Sequence, residues 1–503
     1  MKILTAAQTR AADSFTINQQ GIASVDLMER AAKAFTCWFE NKFRPDKAIF
    51  VFCGPGNNGG DGLAVARLLH ARGYVVQVLI VGDTEKASAD FRLNLKALPQ
   101  EVKPVVVTEA VATPTVPADA VIVDALFGTG LNRPVTGLYA AIIANINESK
   151  ACLVAIDIPS DLYTDSQTPA AGAVVKAAYT VSFELPKLAF LLPQHEELIG
   201  EWHVVPIGLD AGFIAATPTS YHLTCLNSAQ QLLKPRSKFS HKGTFGHALL
   251  VCGSYGKMGA AVLAAQACLR SGVGLLTLRA PAAGYTVLQT AVPEAMTLAD
   301  TNKKHLSSLP KELAPYTVIG VGPGIGQEKT TRAMVGQLLA TASQPLVIDA
   351  DAINLIAGSD KLKAMLPKGK VIFTPHPKEF ERLAGKTANN YERLERLQEF
   401  CREFSCYLVL KGSHSAVGTP EGTIYFNSTG NAGMATGGTG DVLTGIITAL
   451  VAQQYSLEAA CRLGVYVHGL AGDLAKAEVG EIAMVASDLI RYLPQAFQKL
   501  LQV

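Results

Sequence analysis

No Cys-x-x-Cys pair occurs in the chain, and its nine cysteines are an odd number, so neither a zinc-ligand spacing nor a disulfide framework is indicated. A reducing compartment is expected. No stretch reaches the ~18 uncharged apolar residues that span a membrane. The start, Met1-Lys2-Ile3-Leu4-Thr5 and then Gln8, Thr9, Arg10 and Asp13, lacks the apolar core of a secretory leader. The expectation is a cytoplasmic protein. An excess of one charge is also missing: 44 Lys and Arg face 42 Asp and Glu, with no basic block or acidic tail. That leaves no electrostatic footprint for nucleic acid or an anionic membrane. Small molecules are the expected partners.

What is present is apolar surface and glycine. Of 503 residues 49% are hydrophobic and 17% charged, which excludes a disordered chain and, at roughly 150 residues per domain, calls for two cores. The 44 glycines fall in short clusters, where the backbone must turn sharply or approach something closely. From Ile49 an apolar run enters Gly54-Pro-Gly-Asn-Asn-Gly-Gly-Asp-Gly62. Helically spaced Leu63, Val65, Ala66, Leu68 and Leu69 and a second run, Tyr74 to Val81, follow. This is a βαβ unit. Two later runs stop at Asp124 and Asp157, at the carboxyl ends of strands, where ligands of a doubly wound parallel sheet gather.

Periodicity fades between Pro206 and Lys242, and a second strand–glycine–helix series begins at His247. Two α/β domains are therefore expected, 1–220 and 221–503.

The loop from Gly54 to Gly62 leaves backbone N–H groups free at a helix start, a site for phosphate. Asn57, Asn58 and Asp61, with Asp124, the run Gly128 to Pro134, and Asp157-Ile-Pro-Ser160, add oxygens of the kind hard cations take. Taken singly, each is as well explained as a cap or turn residue. Together, Gly54–Gly62, Asp124-Ala-Leu-Phe-Gly-Thr-Gly130 and Asp157–Ser160 resemble the three signatures of the NAD(P)H-hydrate epimerase domain, a Rossmann-like fold.

The resemblance implies that Asn57, Asn58, Gly59, Gly60 and Asp61, and Gly128, Thr129, Gly130, Leu131, Asn132, Arg133 and Pro134, hold the phosphates and ribose of a hydrated dinucleotide. Asp157 touches substrate, and Asn58, Asp124 and Ser160 bind potassium. Epimers at a hemiaminal carbon interconvert through loss and return of the substituent, for which one acid–base group suffices. Asp124 is the candidate, with ion ligation alone the equal alternative. One departure stands out: Asp161 occupies a position where the family has glycine, so a backbone turn there has lost its most permissive residue.

In the second series, Gly437-Gly-Thr-Gly-Asp441 opens a long apolar helix. Its successive amides form an anion hole. Asp441 is either a plain helix cap or the base that deprotonates a hydroxyl attacking phosphorus. With His241–Gly246, Gly322–Gly326, Asp349–Asn354, Thr374–Phe380 and Lys411–Ser415, this run resembles the ADP-dependent (S)-NAD(P)H-hydrate dehydratase, a ribokinase-like fold.

That resemblance implies substrate contacts from Ala260, Gly324, His376 and Asp441, and nucleotide contacts from Lys411, Gly412, Ser413, His414, Ser415 and Gly440. Asp441 becomes the catalytic base, ADP the co-substrate, and magnesium its companion. Read by itself, His376 is better explained as a hydrogen-bonded turn residue, and Lys411 as a solvated strand end. The implied activity is repair of NADHX and NADPHX by one chain, epimerisation feeding dehydration of the S form, in a protein expected to be a homo-oligomer.

Overall fold

The structure, a computed structural model, describes residues 1–110, 114–131, 133–169 and 172–502. It divides into two compact units, Lys2–Thr219 and, together with Met1, Ser220–Val503.

The first unit holds strands Ala48–Cys53 (β1), Val75–Val81 (β2), Val105–Val107 (β3), Val121–Ala125 (β4), Cys152–Ile156 (β5), Tyr179–Phe183 (β6) and Glu201–Val205 (β7). They form one sheet in the order β3-β2-β1-β4-β5-β6-β7, parallel at every pairing. The central runs are continuously apolar because both faces are covered. Ile49, Val51 and Cys53 of β1 enter one core cluster and Phe50 and Phe52 the other, as the two-residue period of a strand requires. Helices Ala6–Gln20 (α1), Ser24–Lys42 (α2) and Asn57–Ala71 (α3) belong to this unit.

Strand β1 lies between β2 and β4, so the direction of winding reverses there and a crevice opens at the carboxyl ends. Asp124 of β4 pairs in register with Phe52 of β1. The glycine loop and this aspartate therefore share one end of the sheet.

The second unit contains Tyr221–Thr224 (β8), His247–Val251 (β9), Leu275–Ala280 (β10), Met296–Ala299 (β11), Val318–Val321 (β12), Leu346–Ile348 (β13), Val371–Phe373 (β14), Tyr407–Leu410 (β15), Ala416–Gly418 (β16) and Ile424–Asn427 (β17). Its sheet runs β11-β10-β9-β12-β13-β14-β15-β16-β17-β8. Only the two pairings of β16 are antiparallel. The reversal falls between β9 and β12.

The helix Thr439–Ala452 is buried at every residue from Val442 to Ala452. Each large aliphatic side chain hidden in this way contributes about 1.5–3 kcal/mol. It packs closely on the helix Met258–Arg270, since a Cβ on Gly445 would sit 2.2 Å from the Ala264 carbonyl oxygen. Among the described residues no helix is long and apolar enough to cross a membrane.

Candidate active sites

In the first unit, Gly56 is the N-cap of α3 and offers no side-chain bond, so the first-turn amides are left for another acceptor. Packing explains the glycines around it. A Cβ on Gly54 would lie 2.0 Å from Leu126 O, and one on Gly59 would lie 1.7 Å from Gly54 O. Gly59 and Gly60 are buried and act by allowing the loop to close.

Above the loop is a cavity of about 580 Å³ lined by Asn57, Asn58, Asp61, Asp157 and the run from Gly128 to Leu131. Arg133 and Pro134 are not among its lining residues, and Asn132 lies outside the described residues. Asn58 is 8% exposed and its Nδ2 has no partner among the described residues, a buried donor left for something in the cavity.

Three further lining residues, Arg10, Asp13 and Lys187, carry charge that the sequence reading missed. Lys187 is 2% exposed, and its Nζ lies 3.0 Å from Asp157 Oδ1. That oxygen also accepts from Phe183 N at 3.0 Å. Asp157 itself is in the left-handed region at φ 63°, a conformation costly for a non-glycine residue. Asp13 is pushed up to about 6, first by burial and then by the Asp157 charge, with Lys187 and Arg10 opposing. Burial also drives Asp61 well up, reinforced by Asp157, Asp13 and Asp90. Lys187 lies in the loop beyond β6, past the residues that end the run, so the rule that marks Asp124 and Asp157 does not reach it. Asp13 shares a helix face with Arg10 and Ile17, a pattern that by itself reads as ordinary packing.

Asp124 is fully buried and is not among the residues lining the cavity. Its Oδ1 accepts from Ser160 Oγ at 2.6 Å and Leu126 N at 3.1 Å, and its Oδ2 accepts from Ser160 N at 2.8 Å. Burial outweighs these bonds and raises it to about 6. Asp161, where a glycine was expected, has φ 69°. Its two oxygens accept from Val135 N at 3.1 Å and Ala173 N at 2.9 Å, so the side chain has gained work that a glycine could not do.

In the second unit a cleft of about 490 Å³ is lined by Ala260, Gly324, Gly437, Gly438 and Asp441. Apart from Gly437, Gly438 and Asp441, its lining residues come from the segments that follow β9, β12, β13 and β14. Lys257, Asp351, Asn354 and Glu379 also line it, and none was singled out from the sequence, although the last three stand inside its motifs. Asp441 is on the first turn of the helix Thr439–Ala452. It is raised to about 7, mainly by burial and then by Asp349, with Lys411 lowering it.

Lys411 reaches the same first turn: its Nζ would be 3.2 Å from a Cβ on Gly440. Gly412, Ser413, His414 and Ser415 form the turn between β15 and β16 and are not cleft-lining residues. The His414 ring bonds Asn427 O at 2.9 Å. His376 caps the helix Pro377–Ala384, its Nδ1 accepting from Lys378 N at 3.2 Å and Glu379 N at 3.4 Å. That is the turn role its surroundings suggested.

A family described as NAD(P)H-hydrate dehydratase matches residues 248–495, and one described as the YjeF-related protein N-terminus matches 24–189. The bifunctional NAD(P)H-hydrate repair enzyme Nnr of Moorella thermoacetica is 36% identical over 99% of this chain and 97% of its own. That of Escherichia coli is 33% identical over 94% and 89%. In structure, the ADP/ATP-dependent NAD(P)H-hydrate dehydratase of Bacillus subtilis, co-crystallised with ATP and Mg²⁺, matches with TM-score 0.50. It is 32% identical and covers 56% of this chain and 98% of that one. The chain belongs to the family of bifunctional NAD(P)H-hydrate repair enzymes.

Proposed function

We propose that the first unit interconverts the R and S forms of hydrated NADH and NADPH, and that the second dehydrates the S form as ADP becomes AMP and phosphate. The observation that carries this is Asp441, raised to about 7 by burial and the Asp349 charge. It lines a cleft at glycine amides that face a helix start. A base poised near neutrality beside an anion cradle suits deprotonation of a hydroxyl that attacks phosphorus.

In this reading Asp441 takes the proton of the C6 hydroxyl as its oxygen bonds to the terminal phosphorus of ADP and the bond to AMP breaks. The C6–O bond then breaks with its electron pair leaving on phosphate, and loss of a C5 proton restores the ring double bond. Gly437 to Gly440 stabilise the transferring group, and Lys411 adds a positive charge there. The relative from Bacillus subtilis was crystallised with ATP and Mg²⁺, which supports nucleotide binding here. Among the described residues no three His, Cys, Asp or Glu side chains form a metal cage, so magnesium would be carried mainly by the nucleotide phosphates, whose charge it offsets. His376 then acts through its cap, and the 412–415 turn borders the nucleotide.

For epimerisation the cavity carboxylates handle the proton. Asp13 protonates the departing C6 hydroxyl, water leaves a ring cation stabilised by Asp157, and water returns to either face as Asp13 regains its proton. Asp124, with Ser160 and Asn58, is the ion ligand rather than the acid. Its buried carboxylate, which lacks a paired cation in the contacts above, and the hydroxyl and amide oxygens fit a hard monovalent cation such as potassium.

The test is to incubate chemically prepared hydrate with the protein and ADP and follow both epimers by chromatography. Loss of both epimers with AMP release is expected. Accumulation of a stable phosphorylated product would instead identify a kinase.

A further inference from the structure

Asp349 opens the motif Asp349–Asn354 and bears on more than the Asp441 carboxyl. It occupies the N-cap position of the helix Ala350–Ala357, yet its side chain makes no cap bond. A capping carboxylate would accept from the amides of that helix. This one is turned toward the neighbouring strand ends.

Its Oδ1 lies 3.1 Å from Lys411 Nζ, and its Oδ2 accepts from Thr444 Oγ at 2.6 Å. The residue is 1% exposed. Backbone contacts from the end of β12 hold it in place. Asp349 N donates to Val321 O at 3.0 Å, and Gly322 passes so close that a Cβ there would be 1.8 Å from Asp349 O. Ala350, next in sequence, is held at φ 48°, strain that persists only where surrounding structure enforces it.

Thr444 stands one turn after Gly440 and three residues after Asp441, on the same buried helix. Through it the carboxylate joins three elements: the end of β13, the end of β15 that carries Lys411, and the first turn that carries Asp441.

We infer that Asp349 is a positioning residue of the dehydratase site: held by Thr444, it fixes the Lys411 ammonium against the Gly440 amide cradle and supplies the negative charge that faces Asp441. The inference rests on Asp441 being the base, as read above. A lysine with a four-carbon stem and three donors is a mobile point charge. Pinned by a buried carboxylate, it meets the nucleotide phosphate already in place, which lowers the ordering cost of binding.

The groups facing Asp441 come from each element around it. Asp349 and Asp351 raise it, and Lys411 lowers it. The Cys252 thiol at the end of β9 is driven up by burial and by Asp441. His468, bonded through Nε2 to Thr439 O at 2.9 Å, is lowered to about 4 by burial and stays neutral. Lys257 and Glu379 line the same cleft. Because Asp441 must be ionised to act, kcat/KM for dehydration rises with pH through its titration. Removing a negative neighbour moves that acid limb to lower pH, and removing a positive one moves it to higher pH.

The experiment uses the full chain, pure S-hydrate and ADP. D349N is expected to move the acid limb down by about one pH unit and to raise KM for ADP by roughly tenfold. K411M is expected to move the limb in the opposite direction. In the background of K411M, D349N should no longer change KM for ADP, because the lysine it positions is gone. Thermal unfolding of each variant separates these effects from loss of structure. If D349N does not fold, the K411M shift and the behaviour of T444V, expected to raise KM for ADP with no movement toward lower pH, decide the matter. Acid limbs that stay in place in D349N and K411M, or that move together, overturn the inference. Wild-type protein that does not dehydrate the hydrate at all would instead overturn the functional reading beneath it.

Discussion

Both units set a glycine cluster at the start of a helix with an aspartate near it: Gly54–Gly62 and the strand-end Asp124 in the first, Gly437–Gly440 and the first-turn Asp441 in the second. They employ the aspartate differently. In the second unit Asp441 lines the cleft, and its carboxylate titrates at about 7 because burial is joined by Asp349. In the first, the strand-end Asp124 is sealed beneath the cavity by bonds from Ser160 and Leu126, while Asp13, Asp61 and Asp157 face the space above. The difference teaches that a glycine cluster and an acid identify an anion site without saying which acid moves protons. Access to the cavity and the unspent lone pairs of the carboxylate decide that.

Breaking the first half of this comparison should give the largest effect. Asp13 lines the open cavity and feels its neighbours Asp157, Lys187 and Arg10 through their charges, so D13N removes a proton carrier and little structure. Enzymatic exchange between R and S epimers is expected to fall roughly 10²–10⁴-fold, with dehydration of supplied S-hydrate unchanged. Wild-type exchange should decline as pH rises through about 6, the Asp13 value, because the protonated form starts the reaction. D13N should lose that decline. Chromatography of the two epimers over a pH series reads both, and full activity in D13N would return the role to another carboxylate.

The second prediction concerns packing in the second unit. Gly445→Ala places a Cβ 2.2 Å from backbone, at Ala264 O, where no side chain can swing away. Destabilisation of about 3 kcal/mol is expected, the upper range for overpacking, and dehydration should fail on warming before epimerisation does. Denaturant unfolding followed by each activity checks it.

A smaller effect sharpens the reading of Asp161. D161A keeps a side chain in the left-handed region and loses the bonds to Val135 N and Ala173 N, costing about 2 kcal/mol. D161G loses the same bonds but relieves the backbone and should be about 1 kcal/mol more stable than D161A. Equal unfolding midpoints would show that the turn carries no strain. Smallest of all, exchanging potassium for choline should lower epimerisation severalfold in the wild type and leave D124N indifferent, measured at constant ionic strength.

Much of this was readable in the residues. Apolar runs broken by glycine and ending at Asp124 and Asp157 mark parallel strands, since strands covered on both faces have no polar alternation to hide them. The site segments follow from the same rule. What escaped came from elsewhere in the chain. Asp13 sits on α1, more than 140 residues from Asp157, and no local pattern ties them. Lys257 and Asp351 form an ion pair at 3.3 Å that only the meeting of two strand ends creates. Reading the loop for its oxygens also leads to the wrong conclusion that it lacks a dinucleotide-binding spacing, although Gly54-x-Gly56-x-x-Gly59 is that spacing. Its close contacts with Leu126 and within the loop show what those glycines permit. Conversely, the bonds by which the Asp161 side chain serves Val135 N and Ala173 N join segments distant in the chain, which sequence position cannot reveal.

The central claim is that Asp441 accepts the proton that starts phosphoryl transfer. The most direct measurement gives D441N pure S-hydrate and saturating ADP and follows AMP release together with the return of reduced-nicotinamide absorbance. A loss of roughly 10³–10⁴-fold in turnover, with R/S exchange by the same protein intact, is predicted. Undiminished AMP release and absorbance recovery would contradict the account.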